Sequence, residues 1–583
     1  MRITVNGKPV QAEVTQGVTL YSLLTSLGFH LNAPCGGGGR CGKCRVVIAN
    51  APAPTASDLR LINNEDLQAG VRLACATAPL EGMDIRLEQT GKGVALIATE
   101  GHSVQYPFHP QVTVTTAKLT EPGLNDQRAD LDRLADALGI DSLTASPDVL
   151  KDLPNTLRQN GWAIASAIRV QGQTLIGLNP KKLYGAVVDV GTTTLAGYLV
   201  DLATGEEVAV TSAMNPQKAW GDDVITRADH AKAGGLGVLQ AAVTREIDGM
   251  IGQLCLAAKA DRYDVAHMVV AGNTVMMHLF AGVSPEHIAQ APFTPAFTAA
   301  MELPASVLGL NLHPNAAFSM LPCVSGYIGA DTVAGLLAAG MNEQSEPTLL
   351  IDIGTNGEIA LAAGGRLYAC STAAGPAFEG AHIRCGMGSI AGAINTAVVD
   401  GGIRFTTIGG EPARGICGSG LLDLVAGLLD AGVIDETGRL ERGSAPDWAS
   451  FDEEGIVIDL ASGVKLTARD VREVQLAKAA VAAGIDVLLA EAGADIEVVK
   501  TVYLAGGFGS YLNKRSAGRI GLIPPALADR AVAIGNSSGA GAKAALLSIE
   551  AMEEAKRIAT TIRYIELSAR EDFQQAFVEK MLF

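Results

Sequence analysis

The sequence predicts a multidomain α/β protein. A small β-rich N-terminal domain carries a cysteine cluster, a small α/β middle domain follows, and the C-terminal part is a two-lobed α/β domain built by duplication. Three observations predict this. Four of the nine cysteines crowd into the first 75 residues. A strand–turn–strand unit with an Asp-x-Gly-Thr centre occurs twice, and each copy is followed by an apolar strand ending in glycine and by a helix of small residues. Finally, 583 residues call for three or more folding units at about 100–200 residues each.

Composition narrows the function. Apolar residues make up 48% and charged residues 18%, with 67 glycines, which is globular composition with enough apolar surface for large cores. The net charge of −17 speaks against nucleic acid or an anionic membrane as partner, because phosphate binding needs clustered Lys and Arg. Met1–Val10 has no apolar signal core. The longest apolar stretch, Ala477–Ala490, contains Lys478 and Asp486 and falls short of the roughly 18 uncharged residues of a spanning helix. The expectation is a cytoplasmic protein whose cysteines are reduced thiols or metal ligands.

Residues 1–92 read as the first domain. Arg2–Val5 and Val10–Val14 form a hairpin around Asn6-Gly7. Leu20, Leu23, Leu24 and Leu27 recur at helical spacing, and Gly28 can end the helix Thr19–Leu27. Cys44–Ile48 and Met83–Leu87 read as further strands. The cysteines run Cys35-x5-Cys41-x2-Cys44-x30-Cys75. The glycines of PCGGGGRCGKC permit a loop tight enough to wrap thiolates around two irons, and backbone N–H groups there can face bridging sulfides. The spacing resembles that of plant-type [2Fe–2S] sites with one extra residue in the first gap; a structural zinc site is the alternative. Gly37-x4-Gly42-Lys43 imitates a phosphate-binding loop, but Cys44 stands where Ser or Thr is required. This domain has eight Lys/Arg against seven Asp/Glu in residues 1–90, so the acidity belongs to the remainder. Arg40, Lys43 and Arg45 either dock an acidic electron donor or offset the charge of the cluster. The other cysteines, Cys255, Cys323, Cys370, Cys385 and Cys417, form no CxxC pair and read as small packed thiols.

Residues 93–110 lack periodicity and read as a linker. Residues 111–182 follow, with strand-like Val112–Thr116, Trp162–Val170 and Thr174–Gly177 and helical Leu131–Leu138. They hold no chemical motif and are expected to scaffold or dimerise.

Residues 183–583 carry the duplication. Gly185–Val190 and Leu195–Leu202 flank Gly191-Thr192-Thr193-Thr194, and Leu349–Ala362 repeats the unit as Asp352-Ile353-Gly354-Thr355-Asn356-Gly357. Such turns can cradle phosphate on backbone N–H groups and Thr hydroxyls, while Asp189 can hold water or Mg2+. The apolar strands Met268–Thr274 and Val502–Gly509 and the helices near Gly329–Gly340 and Gly539–Ser548 complete two matching halves. Glu358 either acts on an attacking water or is a strand residue facing outward. His278 and His382 lack ligand spacing and read as structural.

Residues 1–92 resemble the β-grasp fold of [2Fe–2S] ferredoxins, which implies Cys35, Cys41, Cys44 and Cys75 as cluster ligands. The duplicated half resembles the ATP-binding superfamily of acetate and sugar kinases, Hsp70 and actin. That resemblance implies a first phosphate site at Asp189, Gly191, Thr192, Thr193 and Thr194, a second at Asp352, Gly354, Thr355 and Asn356, and adenosine contact at Gly506 and Gly507, with ATP and Mg2+ as cofactors. The two parts together, with Asn215–Arg227, Gly375–Asn395 and Gly415–Leu421, resemble the reductive activators of corrinoid enzymes over essentially the whole chain. The activity this implies is ATP-dependent transfer of one electron to the inactive Co(II) corrinoid of a methyltransferase or corrinoid protein, restoring Co(I). A ferredoxin, flavodoxin or reductase would supply the electron. Gly375–Asn395 would face the corrinoid, with Ser389 or the softer Cys385 near cobalt; an ordinary glycine-rich loop is the other reading. Competing functions are an ATP-driven activator of another metalloenzyme, a redox-sensing ATP-binding regulator and a small-molecule kinase with an appended ferredoxin.

Overall fold

The computed structural model describes the chain except residues 12–17, 28, 30, 32–38, 40, 41, 43, 88–98, 172, 222, 440–445, 453, 454, 462 and 510. The N-terminal sheet has the order Lys8–Gln11, Arg2–Val5, Asp84–Leu87, Arg45–Ala49, Val71–Leu73. Its first two strands form a hairpin at the expected turn, with Asn6 and Gly7 at φ 50° and 77°, a turn whose twist suits paired strands; the second strand is Lys8–Gln11, and of the expected Val10–Val14 residues 12–14 lie outside the described residues. Helix Leu20–Ser26 buries Leu20, Leu23 and Leu24 against this sheet. Arg2–Val5 pairs in parallel with Asp84–Leu87, while the other pairings of these two strands are antiparallel, and this sheet gripping one helix is the β-grasp arrangement. Sequence periodicity misses the helix Ala56–Leu61, which is set by its cap. Buried Asp58 accepts from the Thr55 N–H and hydroxyl, closing a capping box, and also from the Leu73 N–H.

The middle region forms a separate sheet, ordered Val112–Lys118, Ala163–Arg169, Thr174–Leu178, Thr144–Ala145. Its own core contains Leu119, Leu134, Leu153, Leu157 and Trp162. Besides the expected helix, here Asp130–Leu138, a second helix spans Pro147–Gln159. Its internal Pro154 obscures the helical pattern.

The segment before this sheet packs on the C-terminal part. The His102 N–H donates to Ile534 O, Val104 N–H to Ala338 O and His109 N–H to Leu547 O, while Asn536 N–H donates to Glu100 O. Contact is so close at Gly535 that a Cβ there would lie 2.0 Å from Glu100 O.

The two lobes repeat one topology. In the first, the meander Glu207–Met214, Thr194–Asp201, Tyr184–Val190 continues in parallel to Val265–Gly272 and Ala317–Met320. In the second, Arg366–Thr372, Gly357–Ala363, Thr348–Ile353 continues in parallel to Thr501–Ala505 and Ala531–Gly535. Helices Ala330–Ala338 and Ser537–Leu547 cross between them. A Cβ on Gly541 would stand 1.9 Å from Ala334 O, so only glycine permits that approach. This is the two-lobed, actin-like ATPase fold expected from the duplication. Among the described residues no helix is long and apolar enough to cross a membrane.

Candidate functional site

Each Asp-x-Gly-Thr turn closes the first hairpin of its lobe, so both sit at the mouth of the cleft. The first turn is braced from below. Asn215 Nδ2 donates to Gly191 O at 2.8 Å and fully buried Arg227 donates Nη2–H to Thr192 O at 2.6 Å. Asn273, the N-cap of helix Thr274–Ala281, donates Nδ2–H to Thr192 Oγ1. Asp189 is gripped from the other side: Asn536 Nδ2 donates to Oδ2 at 2.9 Å and Ser538 Oγ to Oδ1 at 2.8 Å. Asn536 also N-caps helix Ser537–Leu547, so strand, cap and carboxylate form one unit.

The second turn is different. The Gly354 N–H donates to Asn356 O within the turn. Asp352 faces Gly506, where a Cβ would lie 2.3 Å from Oδ1 at φ 81°. Gly507 faces open space, with nothing within 4 Å of where its Cβ would stand. Burial, then Asp189 and Glu379, pushes Asp352 up to about 7. Asp331, in the first turn of helix Ala330–Ala338, is likewise pushed up to about 7 by burial and by Asp189 and Asp352. Glu358 pairs across the hairpin from Asp352 and accepts from Ser371 Oγ. Burial, Asp331 and Asp352 raise it well above the usual carboxylate range. It lies among the cleft acids, half-buried beside Asp331 and Asp352.

Glu379 joins the two turns. Its Oε2 accepts from Thr193 Oγ1 at 3.2 Å and from Thr355 Oγ1 at 3.1 Å, one hydroxyl from each lobe. Sequence reasoning passes over Glu379, Asp331, Asn536 and Ser538. The cap position of Asn536 before a small-residue helix is the one local signal; Glu379 becomes visible only when both turns are in place.

At the cluster end, Arg45 pairs with Leu73 and the Ala74 N–H donates to Cys44 O. This register brings Cys44 and Cys75, both buried, to the same end of the sheet. Gly39 and Gly42 adopt φ 70° and 68°, and Arg60 and Arg45 donate to their carbonyls. Two neighbouring thiols beside a loop of left-handed glycines fit a thiolate-held cluster. Cys35, Cys41, Arg40 and Lys43 lie outside the described residues. Arg45 is committed to Gly42 O and Asp66. Of the remaining cysteines only Cys385 is partly exposed; its sulfur accepts from the Lys465 N–H. Ser389 is half-buried in the same segment. His278 is structural as expected: buried, its Nε2 accepts from the Ala296 N–H and its ring stacks on Phe297.

Four family models match successive parts of the chain. A 2Fe-2S iron-sulfur cluster binding domain matches residues 3–80, the RACo linker region 101–183, the RACo middle region 184–344, and the C-terminal domain of RACo, the ASKHA domain, 346–583. The corrinoid activation enzyme RamQ of Eubacterium limosum is 31% identical over 98% of this chain and 97% of its own length. The [Co(II) methylated amine-specific corrinoid protein] reductase of Methanosarcina barkeri is 27% identical over 68% of this chain and 76% of its own. The solved structure of a reductive activator for a corrinoid, iron-sulfur protein superposes with TM-score 0.75 at 32% identity, covering 100% of this chain and 98% of that one. With a ferredoxin domain, a duplicated ATPase cleft and relatives matched from end to end, this chain belongs to the RACo-type family of corrinoid reductive activators.

Proposed function

We propose that this protein takes one electron from a cellular ferredoxin, flavodoxin or reductase and delivers it to the Co(II) corrinoid of a partner protein or methyltransferase, restoring Co(I). ATP hydrolysis in the cleft offsets the uphill transfer. When bound, the [2Fe–2S] cluster supplies a one-electron carrier, typically near −400 mV for plant-type ligation. Each ~100 mV uphill costs about 2.3 kcal/mol per electron.

The observation that carries this reading is the connection between the two ends. Glu100–His102 lie on Ile534–Asn536, and Asn536 holds Asp189. A change at the first phosphate turn therefore reaches the segment that leads to Cys35, Cys41, Cys44 and Cys75. In the cleft, Thr192, Thr193, Thr194, Thr355 and Asn356 bind phosphates with the backbone at Gly191 and Gly354, and Gly506 and Gly507 leave room for adenosine. Asp189, Asp331 and Asp352 repel one another in a sheltered place, a strain a divalent cation relieves. Among the described residues no three acidic, His or Cys groups come close enough to hold an ion alone. Mg2+ therefore enters with the nucleotide, the phosphates and waters completing its shell. Glu358 orients the attacking water. Beyond the Pro376–Glu379 turn, segment Gly375–Asn395 with Ser389 faces the corrinoid, and residues 111–182 join two copies into a homodimer. The domain division is 1–92, 93–110, 111–182 and 183–583, and the compartment is the cytoplasm.

The test is anaerobic: reduced protein and Co(II) corrinoid protein are mixed with and without ATP and the Co(I) absorbance is followed. ATP should be required; equal Co(I) in its absence would refute the coupling.

A further inference from the structure

The Pro376–Glu379 turn reaches both Asp-x-Gly-Thr turns and the glycine loop at Gly506. Glu379 accepts hydrogen bonds from Thr193 in one lobe and Thr355 in the other. The preceding residue, Phe378, stacks on Phe508 with ring centroids 4.7 Å apart, and Phe508 belongs to the glycine loop that starts at Gly506. Glycines with positive φ bound the turn, Gly375 at 76° and Gly380 at 81°. Beyond Gly380 the chain doubles back on itself: a Cβ there would meet the Met387 N at 2.5 Å, and the Met387 N–H donates to Ile416 O.

A threonine hydroxyl has one proton to donate. In this structure both protons go to one carboxylate oxygen, an anion midway between two turns whose fold is built for anions. A phosphate oxygen needs the same two donors, and it repels the carboxylate by like charge. Both cannot hold the site together.

We propose that Glu379 occupies the phosphate site of the nucleotide-free protein, and that a nucleoside triphosphate must expel it, swinging the Pro376–Glu379 turn about its two glycines. This rests on the cleft being the ATP site, and deepens that reading by naming the competitor. The expelled turn draws on Phe508 at one end and on Ala381–Ser389 at the other, so occupancy of the cleft is passed to the surface assigned to the corrinoid partner. Because the occupied state must be vacated first, Glu379 lowers the apparent affinity by the fraction of time it is in place.

Titration calorimetry of the full-length protein with Mg2+ and the non-hydrolysable triphosphate adenylyl-imidodiphosphate, against Mg2+ and ADP, tests this. Glu379→Ala should tighten triphosphate binding about tenfold and ADP binding much less; Glu379→Gln, which keeps the shape and drops the charge, should fall between. In the wild type, triphosphate should speed hydrogen exchange of the Gly380 and Ala381 amides, which now donate to Ala377 O and Pro376 O. Weaker triphosphate binding in both variants would make Glu379 a ligand of the nucleotide's cation and overturn the proposal. Unchanged binding in both, with the wild type binding normally, would overturn it alone. A wild type that binds neither nucleotide would overturn the ATP-site reading and this inference with it.

Discussion

The two hairpin turns share a motif and a topology but not an environment. Asp189 is fastened by two side-chain donors, Asn536 and Ser538, and its turn is braced by Asn215 and Arg227. Asp352 sits instead among acids: burial, Asp189 and Glu379 push it up to about 7. The fold thus sets two copies of one hairpin in two different surroundings. The first is a fixed platform tied through Asn536 to Glu100, the second an electrically strained turn. Strain of this kind marks sites that bind or react more than sites that only hold a fold.

Replacing the two aspartates in turn breaks the comparison most sharply. Asp189→Ala and Asp352→Ala should each lower ATP hydrolysis at least a hundredfold. Their effects on folding should differ in sign. Burial raises both carboxyls, but removing Asp189 strands the Asn536 and Ser538 donors and costs about 2–4 kcal/mol, whereas Asp352 is held against Asp189 and Glu379 as well and its removal should raise the thermal midpoint. Equal destabilisation in both would erase the distinction.

Gly506→Ala comes next. Its methyl would stand 2.3 Å from Asp352 Oδ1 in a backbone conformation that disfavours L residues. Nucleotide affinity should drop tenfold or more, while Gly507→Ala, with nothing within 4 Å, should leave the free fold intact. Equal affinity for Gly506→Ala and wild type would show that the second turn does not depend on this close approach.

A pH series sharpens the contrast. Asp352 holds its proton in the fold up to about 7, whereas the unfolded chain releases it near 4. Between those values the native state binds more protons than the unfolded one, so this group lowers stability progressively as pH rises. Thermal midpoints of the nucleotide-free protein should fall from pH 5 to 8, and Asp352→Asn should flatten that slope. An unaltered slope would mean that Asp352 titrates like a surface carboxylate.

The smallest effect is expected at Ser371→Ala, which removes the single hydroxyl bond to Glu358. It should cost about 0.5–1.5 kcal/mol by thermal unfolding and move the upper limb of the hydrolysis pH profile. An unmoved profile would leave Glu358 without a part in the reaction.

Much of the fold is legible in the amino-acid order. The Asn6-Gly7 turn, the Leu20–Leu24 stripe and both Asp-x-Gly-Thr hairpins are local patterns, dictated by backbone conformation and by period, and they sit where the periodicity puts them. Helix Ala56–Leu61 is hidden because a capping box and one buried aspartate form it, not an apolar stripe. Among site residues, those in the turns are written into a motif, but Glu379 and Asp331 carry no motif of their own. Neither differs in sequence from any acidic residue of a loop or a helix start.

The sequence alone determined that a thiol-rich loop and two Asp-x-Gly-Thr hairpins share one chain, because such loops and turns demand particular residues at short spacing. Tertiary structure decided what lies between them. Only the closing of two lobes sets Thr193 and Thr355 on the same carboxylate, and only the meeting of Glu100 with Gly535 and Asn536 ties the segment before the middle sheet to Asp189. Such contacts span from 24 residues of chain, Thr355 to Glu379, to 436, Glu100 to Asn536, and no local period can encode a meeting that the whole fold must arrange.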